Sequence, residues 1–303
     1  MKVDIVIVNW NSGDQLEACI ESVRKYGEGW VGRCTVIDNG SSDASLDFLA
    51  DATDVDLVRA GANLGFGVAC NRGAKRGDSP YVLFLNPDAA LFPGSLTYAI
   101  SHLENPMNQT IGILGVQLVD ESGSVQRTCA RVPKPSNWLV KSFGLITLLP
   151  KLDLHCKDWD HGDSRIVDHV MGAFFFVRRN LFNRLKGFDE RFFVYLEDLD
   201  FSVRAKQIGF SSYYLSGASA YHKGGGVSEQ VKAHRLFYSL RSRIQYAAKH
   251  FDPVSAFAVR AATLGIEPLT RLAFLVLRGR AREIKDLFRG YGMLWQWALQ
   301  LRP

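Results

Sequence analysis

The sequence contains no run of about 18 uncharged apolar residues, so no helix that spans a bilayer is expected. It has no CxxC pair. Its five cysteines (Cys19, Cys34, Cys70, Cys129 and Cys156) are scattered, which argues against a zinc site or a disulfide framework and for a reducing compartment. Neither GxGxxG nor a P-loop follows the first apolar segment, which removes support for a classical dinucleotide or ATP site. There is no strong excess of either charge: the net +5 on 303 residues is too small to indicate nucleic acid. The opening MKVDIVIVNWN holds an apolar run too short for a signal peptide and interrupted early by Asp4, so it reads as a first strand. Internal repeats and low-complexity segments are also missing.

What remains is an ordinary globular composition, 47% hydrophobic and 22% charged, long enough for one large domain or two. VDIVIV (3–8) is β-branched and nearly continuous, as in a parallel strand covered on both faces. In NWNSGDQLEACIESVRKYG, Ser12 and Gln15 stand in capping-box positions, and Leu16, Ile20 and Val23 form an apolar stripe. CTVID (34–38) predicts a second strand, and DNGSSD after it a turn that opens another helix. DLVRA, a helix over about 66–76 and the strand YVLFLN (81–86) repeat the unit. This β-α-β-α-β rhythm predicts a three-layer α/β/α fold with a mostly parallel central sheet. GILGVQL and AFFFVRR predict further short strands, and the chain turns helical and basic after about 230.

Polar motifs fall at the carboxyl ends of the strands, the edge where open α/β sheets bind ligands. These are Asn9 and Asn11, Asp38, and Asn86-Pro87-Asp88. DNGSSD (38–43) suits a nucleotide through its carboxylate and following helix terminus, or is a plain Asx turn. NLGFGVACNRG (63–73) is either a ligand loop or a tight helix start. Asp88, at the end of a buried strand, is placed to hold Mg²⁺ or Mn²⁺ with phosphate and water completing the shell, or caps a turn. In YHKGGG (221–226), His222 is a second metal ligand or a structural histidine, and the three glycines allow close backbone approach to a ligand.

VYLEDLDFSVR (194–204) gathers Glu197, Asp198 and Asp200 among apolar residues. Asp200 and Arg204, at i,i+4 with the acid first, read as a structural pair. Leu196, Leu199 and Val203 form the expected buried stripe, placing Glu197 and Asp198 on the first turn toward the strand ends.

In this order, VNWN, VIDNGSSD, NLGFGVACNRG, FLNPDAAL, GAFFFVRR, GFDERFFVYLEDLDFSVRAKQIGF and the His222 segment resemble the inverting family-2 glycosyltransferases of the GT-A fold, over about residues 3–250. The likeness is greatest to the bacterial rhamnosyltransferase-like branch. The resemblance implies that Asn9, Asn11, Asp38, Asn63, Asn71 and Asn86 line the nucleotide-sugar site. It implies that Asp88 holds the divalent ion of a DxD-like motif, with His222 as second ligand, and that Gly172 opens the segment beside the acceptor pocket. It also implies that Asp198 of the Glu197-Asp198 pair is the general base, with Glu197 binding or orienting the acceptor. Asn86 stands where the family has an acidic residue, and the family's histidine precedes a shorter Gly/Ser turn.

The implied activity is sugar transfer from a nucleoside diphosphate, dTDP-L-rhamnose favoured and a UDP-hexose the alternative, to a polyprenyl-linked or nascent glycan of a cell-surface polysaccharide such as O-antigen. An inactive sugar-nucleotide-binding homologue is the other class, weighed against by the presence of Asp88 and Asp198. The expected layout is a catalytic domain over 1–250 (nucleotide half 1–110, acceptor half 111–250) and a basic amphipathic extension over 251–303. In that extension Arg271, Arg278, Arg280, Arg282, Lys285 and Arg289 alternate with apolar runs, and Trp295 and Trp297 follow. Such helices lie on an anionic membrane surface or pack on a protein. The expectation is a cytoplasmic protein, peripheral on the inner membrane through this tail, with a homo-oligomer left open.

Overall fold

A computed structural model describes residues 1–27, 29–156, 158–224 and 231–300. In chain order its main elements are β1 (Val3–Asn9), α1 (Gln15–Tyr26), β2 (Val31–Asp38), β3 (Asp56–Arg59), α2 (Phe66–Ala74), β4 (Tyr81–Leu85), β5 (Ala89–Leu91), α3 (Ser95–Glu104), β6 (Ile111–Val119) and β7 (Cys129–Ala130). There follow α4 (Pro135–Ser142), β8 (Arg165–Val167), β9 (His169–Val170), β10 (Phe174–Arg178), α5 (Arg179–Arg184), α6 (Glu197–Gln207) and β11 (Ser211–His222). Helices α7 (Lys232–His250), α8 (Pro253–Ala261), α9 (Glu267–Leu277) and α10 (Ile284–Gln300) complete the order.

The chain divides into two units. The first comprises Met1–Val132, His155–Phe193 and Glu197–Val227. It is built on a nine-stranded sheet in the order β3-β2-β1-β4-β10-β6-β11-β5, with β8 paired to β11. β1 runs parallel to both β2 and β4, whereas β10 is antiparallel to β4 and β6. Period-two alternation sends side chains of one strand to opposite faces. Ile5 and Ile7 meet Leu16, Cys19 and Ile20 of α1 and Leu96 and Ile100 of α3, while Val6 and Val8 meet Ala69, Cys70 and Ala74 of α2. Each Val, Leu or Ile side chain so buried contributes about 1.5–3 kcal/mol. This is the three-layer α/β/α unit expected from the run of β-branched strands.

The second unit comprises Pro133–Leu154, Val194–Leu196 and Ser228–Pro303. The helical unit thus takes in Pro133–Leu154 and α7 as well as the extension beyond 251. Its core is Leu240, Ile244, Leu287, Tyr291 and Leu294. Within it the carboxylate of Glu267, almost fully buried, is neutralised by Arg243 and by Arg271 at 2.7 Å, and accepts a hydrogen bond from Ser142 of α4 at 2.9 Å. Among the described residues no helix is long and apolar enough to cross a membrane.

Two local expectations change. Ser12 does not cap α1: its hydroxyl donates to Asn9 Oδ1, and the helix starts at Gln15 with no side-chain cap. DNGSSD opens no α-helix; a single 3₁₀ turn at Asp47–Leu49 follows, and the polar side chains of the run bond within the turn (Asp38 to Ser41 N, Asp43 to Ser45) and back to the end of β1 and the loop after it (Ser41 and Ser45 to Asn9, Asp43 to Gly13 N). The stripe of Leu16, Ile20 and Val23 is buried as the spacing implies.

Candidate active site

The carboxyl ends of β1 and β2 are in register, Asn9 opposite Asp38. Asn9 is wholly buried, and its amide donates to Ser41 Oγ at 3.0 Å and Ser45 Oγ at 2.9 Å. It therefore braces the 41–45 turn from below. Asn11, left-handed at φ 50°, accepts from the Ser42 amide at 2.7 Å, and Asp38 accepts from the Ser41 amide at 3.1 Å. Asn63 accepts from Gly65 N and from Asn39 Nδ2, each at 3.0 Å, and Asn39 Oδ1 accepts from Leu64 N. One amide lattice thus joins the ends of β1 and β2 to the loop before α2. Gly65, at φ 86°, lies so close to Phe193 that a Cβ would fall 2.4 Å from its carbonyl oxygen. Asn71 sits apart from this lattice: both ends of its amide are held by the 188–190 turn, through Phe188 N and O and Glu190.

After β4 the Asn86-Pro87-Asp88 turn leads into β5, which pairs antiparallel with the end of β11 so that Ala89 faces His222. Asp88 Oδ1 lies 3.5 Å from His222 Nε2. Gln126 fixes the histidine from behind, donating from Nε2 to the His222 carbonyl at 2.8 Å and presenting Oε1 to Nδ1 at 3.0 Å. An amide oxygen only accepts, so Nδ1 carries a proton, and in the neutral ring Nε2 turns its lone pair toward the carboxylate. Two acceptors facing each other across 3.5 Å suit a cation between them, with the second partner on the far nitrogen that ligating histidines commonly have. Among the described residues no group of three or more His, Cys, Asp and Glu converges on a metal position. Asp88 and His222 would thus supply two ligands, leaving the rest to phosphate and water. Gly224 is described, while Gly225 and Gly226 of the glycine run lie outside the described residues.

The Asn86 amide donates to the Ala173 carbonyl at 3.0 Å, which sets Gly172 beside this turn. Gly172 N in turn donates to Asp198 Oδ2 at 2.8 Å, and Leu199 N donates to Asp198 Oδ1 at 2.8 Å. His169 Nε2 is 3.5 Å from the same Oδ2. Burial opposes the charge on Asp198, but His169 and the two backbone amides outweigh it and hold the carboxyl below the usual aspartate range. Glu197 is the opposite case: burial, then the adjacent Asp198 charge, pushes its carboxyl well above the usual range. Its Oε2 is buried with no hydrogen-bond partner among the described residues. Two neighbouring carboxyls are thus driven apart, Asp198 toward the ionised form and Glu197 toward the neutral one.

Tyr195 and Leu196 precede α6 at φ 69° and 67°, a left-handed pair costing about 1–3 kcal/mol per residue. The helix therefore starts at Glu197, and Leu196 and Val203 do not form the buried stripe expected of them; Leu199, Phe201 and Ala205 do. Asp200 and Arg204 make the expected i,i+4 pair at 2.7 Å, with Asp200 fully buried. Sequence reasoning did not single out Asn39, Gln126 or His169. For Asn39 the signal was present, since it lies within DNGSSD directly after Asp38.

The fold is that of a glycosyltransferase of the GT-A class, with strand-end amides and a buried Glu-Asp pair at the carboxyl edge of its sheet. The family model for glycosyl transferase family 2 matches residues 4–185, and the chain belongs to that family. It is 28% identical over 266 residues to the N-acetylglucosaminyl-diphospho-decaprenol L-rhamnosyltransferase of Mycobacterium tuberculosis, covering 81% of this chain and 84% of that protein. Rhamnosyltransferase WbbL of Escherichia coli K12 is 25% identical over 272 residues, 84% of this chain and 98% of its own. Among solved structures, TarS 1–349 of S. aureus superposes with a TM-score of 0.54 at 15% identity, covering 98% of this chain and 80% of that one. The mannosyltransferase PcManGT of Pyrobaculum calidifontis, in complex with GDP-Man and Mn²⁺, gives 0.54 at 14% identity, covering 99% and 86%. These two likenesses bear on the fold.

Proposed function

We propose that this glycosyltransferase moves L-rhamnose from dTDP-L-rhamnose to a polyprenyl-linked or nascent glycan acceptor with inversion, in cell-surface polysaccharide synthesis. The observation that carries the reading is the short relay from Asn86 through Ala173 and Gly172 to Asp198, which ties the turn bearing Asp88 to the ionised carboxylate. Inversion by single displacement needs one base rather than an acid and a nucleophile. Asp198 takes the proton of the acceptor hydroxyl as that oxygen bonds to the anomeric carbon and the bond to the diphosphate breaks. Glu197, held neutral, orients the acceptor as a donor rather than competing as a base. A divalent ion, Mg²⁺ or Mn²⁺, bound by Asp88 and His222 would neutralise charge on the leaving diphosphate. The residues fit it through the bare His222 nitrogen and the Asp88 carboxylate. Asn9, Asn11, Asp38, Asn63 and Asn86 shape the nucleotide end, and Asn71 supports it through the 188–190 turn.

The donor assignment is supported by the names of the two rhamnosyltransferase relatives, and the lipid-linked acceptor by the decaprenol named in the mycobacterial one. A UDP-hexose is the second reading, favoured by the 24% identical hexosyltransferase Agl10 of Haloferax volcanii. An inert binding homologue would not need an ionised Asp198 so carefully supplied with donors. The second unit supports docking on the cytoplasmic face of the membrane. Leu148, Leu149, Phe274 and Leu277 are exposed, and Arg278, Arg280 and Arg282 follow them closely in the chain. Thr270 of α9 donates to the Ser142 carbonyl at 2.9 Å, bringing the 145–149 turn and this helix to one side of the unit. Turnover measured on a panel of nucleotide sugars, with Mg²⁺, with Mn²⁺ and with EDTA, tests the assignment. Transfer from dTDP-L-rhamnose that is lost in EDTA is expected, and selective use of a UDP-hexose would replace the donor.

A further inference from the structure

Among the described residues of the first unit, the pairs His169–Asp198 and His222–Asp88 have the same separation, 3.5 Å, but of these two only the second is built like a cation site. The difference lies on the far nitrogen of each ring. His222 Nδ1 faces an amide oxygen, which forces the proton onto Nδ1. His169 Nδ1 faces the hydroxyl of Ser202 at 3.1 Å, a group that donates or accepts according to its rotation. That hydroxyl also lies 3.0 Å from the Asp198 carbonyl. In α6 this carbonyl is one turn before Ser202 and also takes its backbone N–H, so it accepts the hydroxyl beside a doubly protonated ring and is still partnered when the hydroxyl turns to donate to a neutral one. On the other side, Asp198 is supplied only by donors, Gly172 N on Oδ2 and Leu199 N on Oδ1. A bare ring nitrogen there would set a lone pair against a carboxylate in a mostly buried place, which is costly. An N–H removes that conflict, and the Ser202 hydroxyl permits it in either charge state of the ring.

We propose that His169 is a positioning residue for Asp198: its Nε2–H faces Asp198 Oδ2 and keeps that carboxylate ionised and aimed, while Ser202 steadies the ring from behind. The inference rests on the reading of Asp198 as the base and adds the residue that makes it one. The titratable groups around Asp198 are Glu197 on its own helix, Cys70 on α2 and His169 on β9. Burial and the Asp198 charge push Glu197 and Cys70 toward their neutral forms, so His169 is the side chain that offsets the burial of the Asp198 carboxylate. The ring is itself buried against Phe175, which limits its freedom to turn away.

The first experiment needs no substrate. In full-length protein labelled with ¹⁵N-histidine, long-range proton–nitrogen correlations report which ring nitrogen of His169 is protonated, with His169→Phe assigning its signals among the seven histidines. A proton on Nε2, alone or with one on Nδ1, is expected; a proton on Nδ1 alone overturns the proposal. The second experiment is the pH dependence of kcat with dTDP-L-rhamnose and water or glycan as acceptor. His169→Phe should move the acid limb up by about one to three pH units, so that activity lost near pH 6 recovers toward about pH 8. His169→Gln, whose amide can donate to Asp198, should move it less. Equal loss at every pH, or no shift, would mean a packing role and overturn the inference. Asp198→Asn separates the two levels: near-native turnover removes the base itself, whereas an inactive Asp198→Asn beside an unshifted His169→Phe removes only the pair.

Discussion

Gly172 gives Asp198 a backbone hydrogen bond of 2.8 Å, and a Cβ on Gly172 would stand 2.9 Å from the same carboxylate oxygen. The donor and the missing side chain are one requirement, because the amide can come this close only if nothing projects from its α-carbon.

Gly172→Ala should therefore damage catalysis more than folding. Moving the carboxylate by even part of an ångström is expected to lower kcat by about 100-fold. Donor binding, measured by calorimetry with dTDP, should stay close to the parent value. A variant with unchanged kcat would show that Asp198 is not held through this contact.

Gln126 should govern metal affinity without touching the metal. Gln126→Leu removes the acceptor that fixes the His222 ring, and the Mn²⁺ concentration needed for half-maximal activity should rise about 10- to 100-fold. Gln126→Glu restores an acceptor toward Nδ1 and should recover part of the affinity. Asp88→Asn should lose metal-dependent turnover more completely, as it removes the carboxylate itself.

Glu197 and Asp198 should write opposite slopes into the pH dependence of stability. The Glu197 carboxyl is raised in the folded protein, so above the unfolded value of about 4.3 the unfolded chain ionises while the fold does not, and stability is lost as pH rises. Glu197→Gln is thus expected to raise Tm at pH 7 to 8, with the gap closing below about pH 4. Asp198, lowered in the fold, contributes stability above about pH 3.9 that disappears as pH falls through its folded value. Thermal melts across this range check both signs, and a Glu197→Gln gap independent of pH would contradict the first.

Membrane docking should depend on the apolar turn as well as on charge. Leu148→Asp with Leu277→Asp is expected to release the protein from anionic vesicles, since both side chains are largely exposed, 74% and 85%. Replacing Arg278, Arg280 and Arg282 by Ser should weaken binding by about 1 kcal/mol for each charge and leave less salt dependence. Sedimentation with vesicles of defined anionic content measures both, and unchanged binding in the two sets would point to a protein partner for this face.

The strands and their polar ends could be read from the sequence because both signals are local: β-branched runs are contiguous, and Asn9, Asp38 and Asp88 follow them directly. The Asp200–Arg204 pair was legible for the same reason. Competing partners defeated the cap at Ser12, where the Asn9 amide three residues upstream claims the hydroxyl. Backbone conformation defeated the stripe at Leu196, since no spacing rule anticipates two left-handed residues in succession. Gln126 and His169 escaped because their partners are distant in sequence, His222 by 96 residues and Ser202 by 33. What made these side chains part of the site was the pairing of β11 with β5, which brings His222 to Asp88, and the placement of β9 against α6, which brings His169 to Asp198, and no short motif records either.

The amide lattice at the strand ends also bears on how the protein ages. Asn39 is followed by Gly40, and such steps lose ammonia when the glycine nitrogen attacks the side-chain carbonyl. Here that carbonyl is held by Leu64 N and the amide nitrogen by Asn63, with the side chain buried. The reaction is suppressed while the fold is intact. Once it occurs, a carboxylate faces the Asn63 oxygen and the lattice at the strand ends comes apart. Deamidation at Asn39 would thus mark molecules that have opened, a chemical clock started by local unfolding.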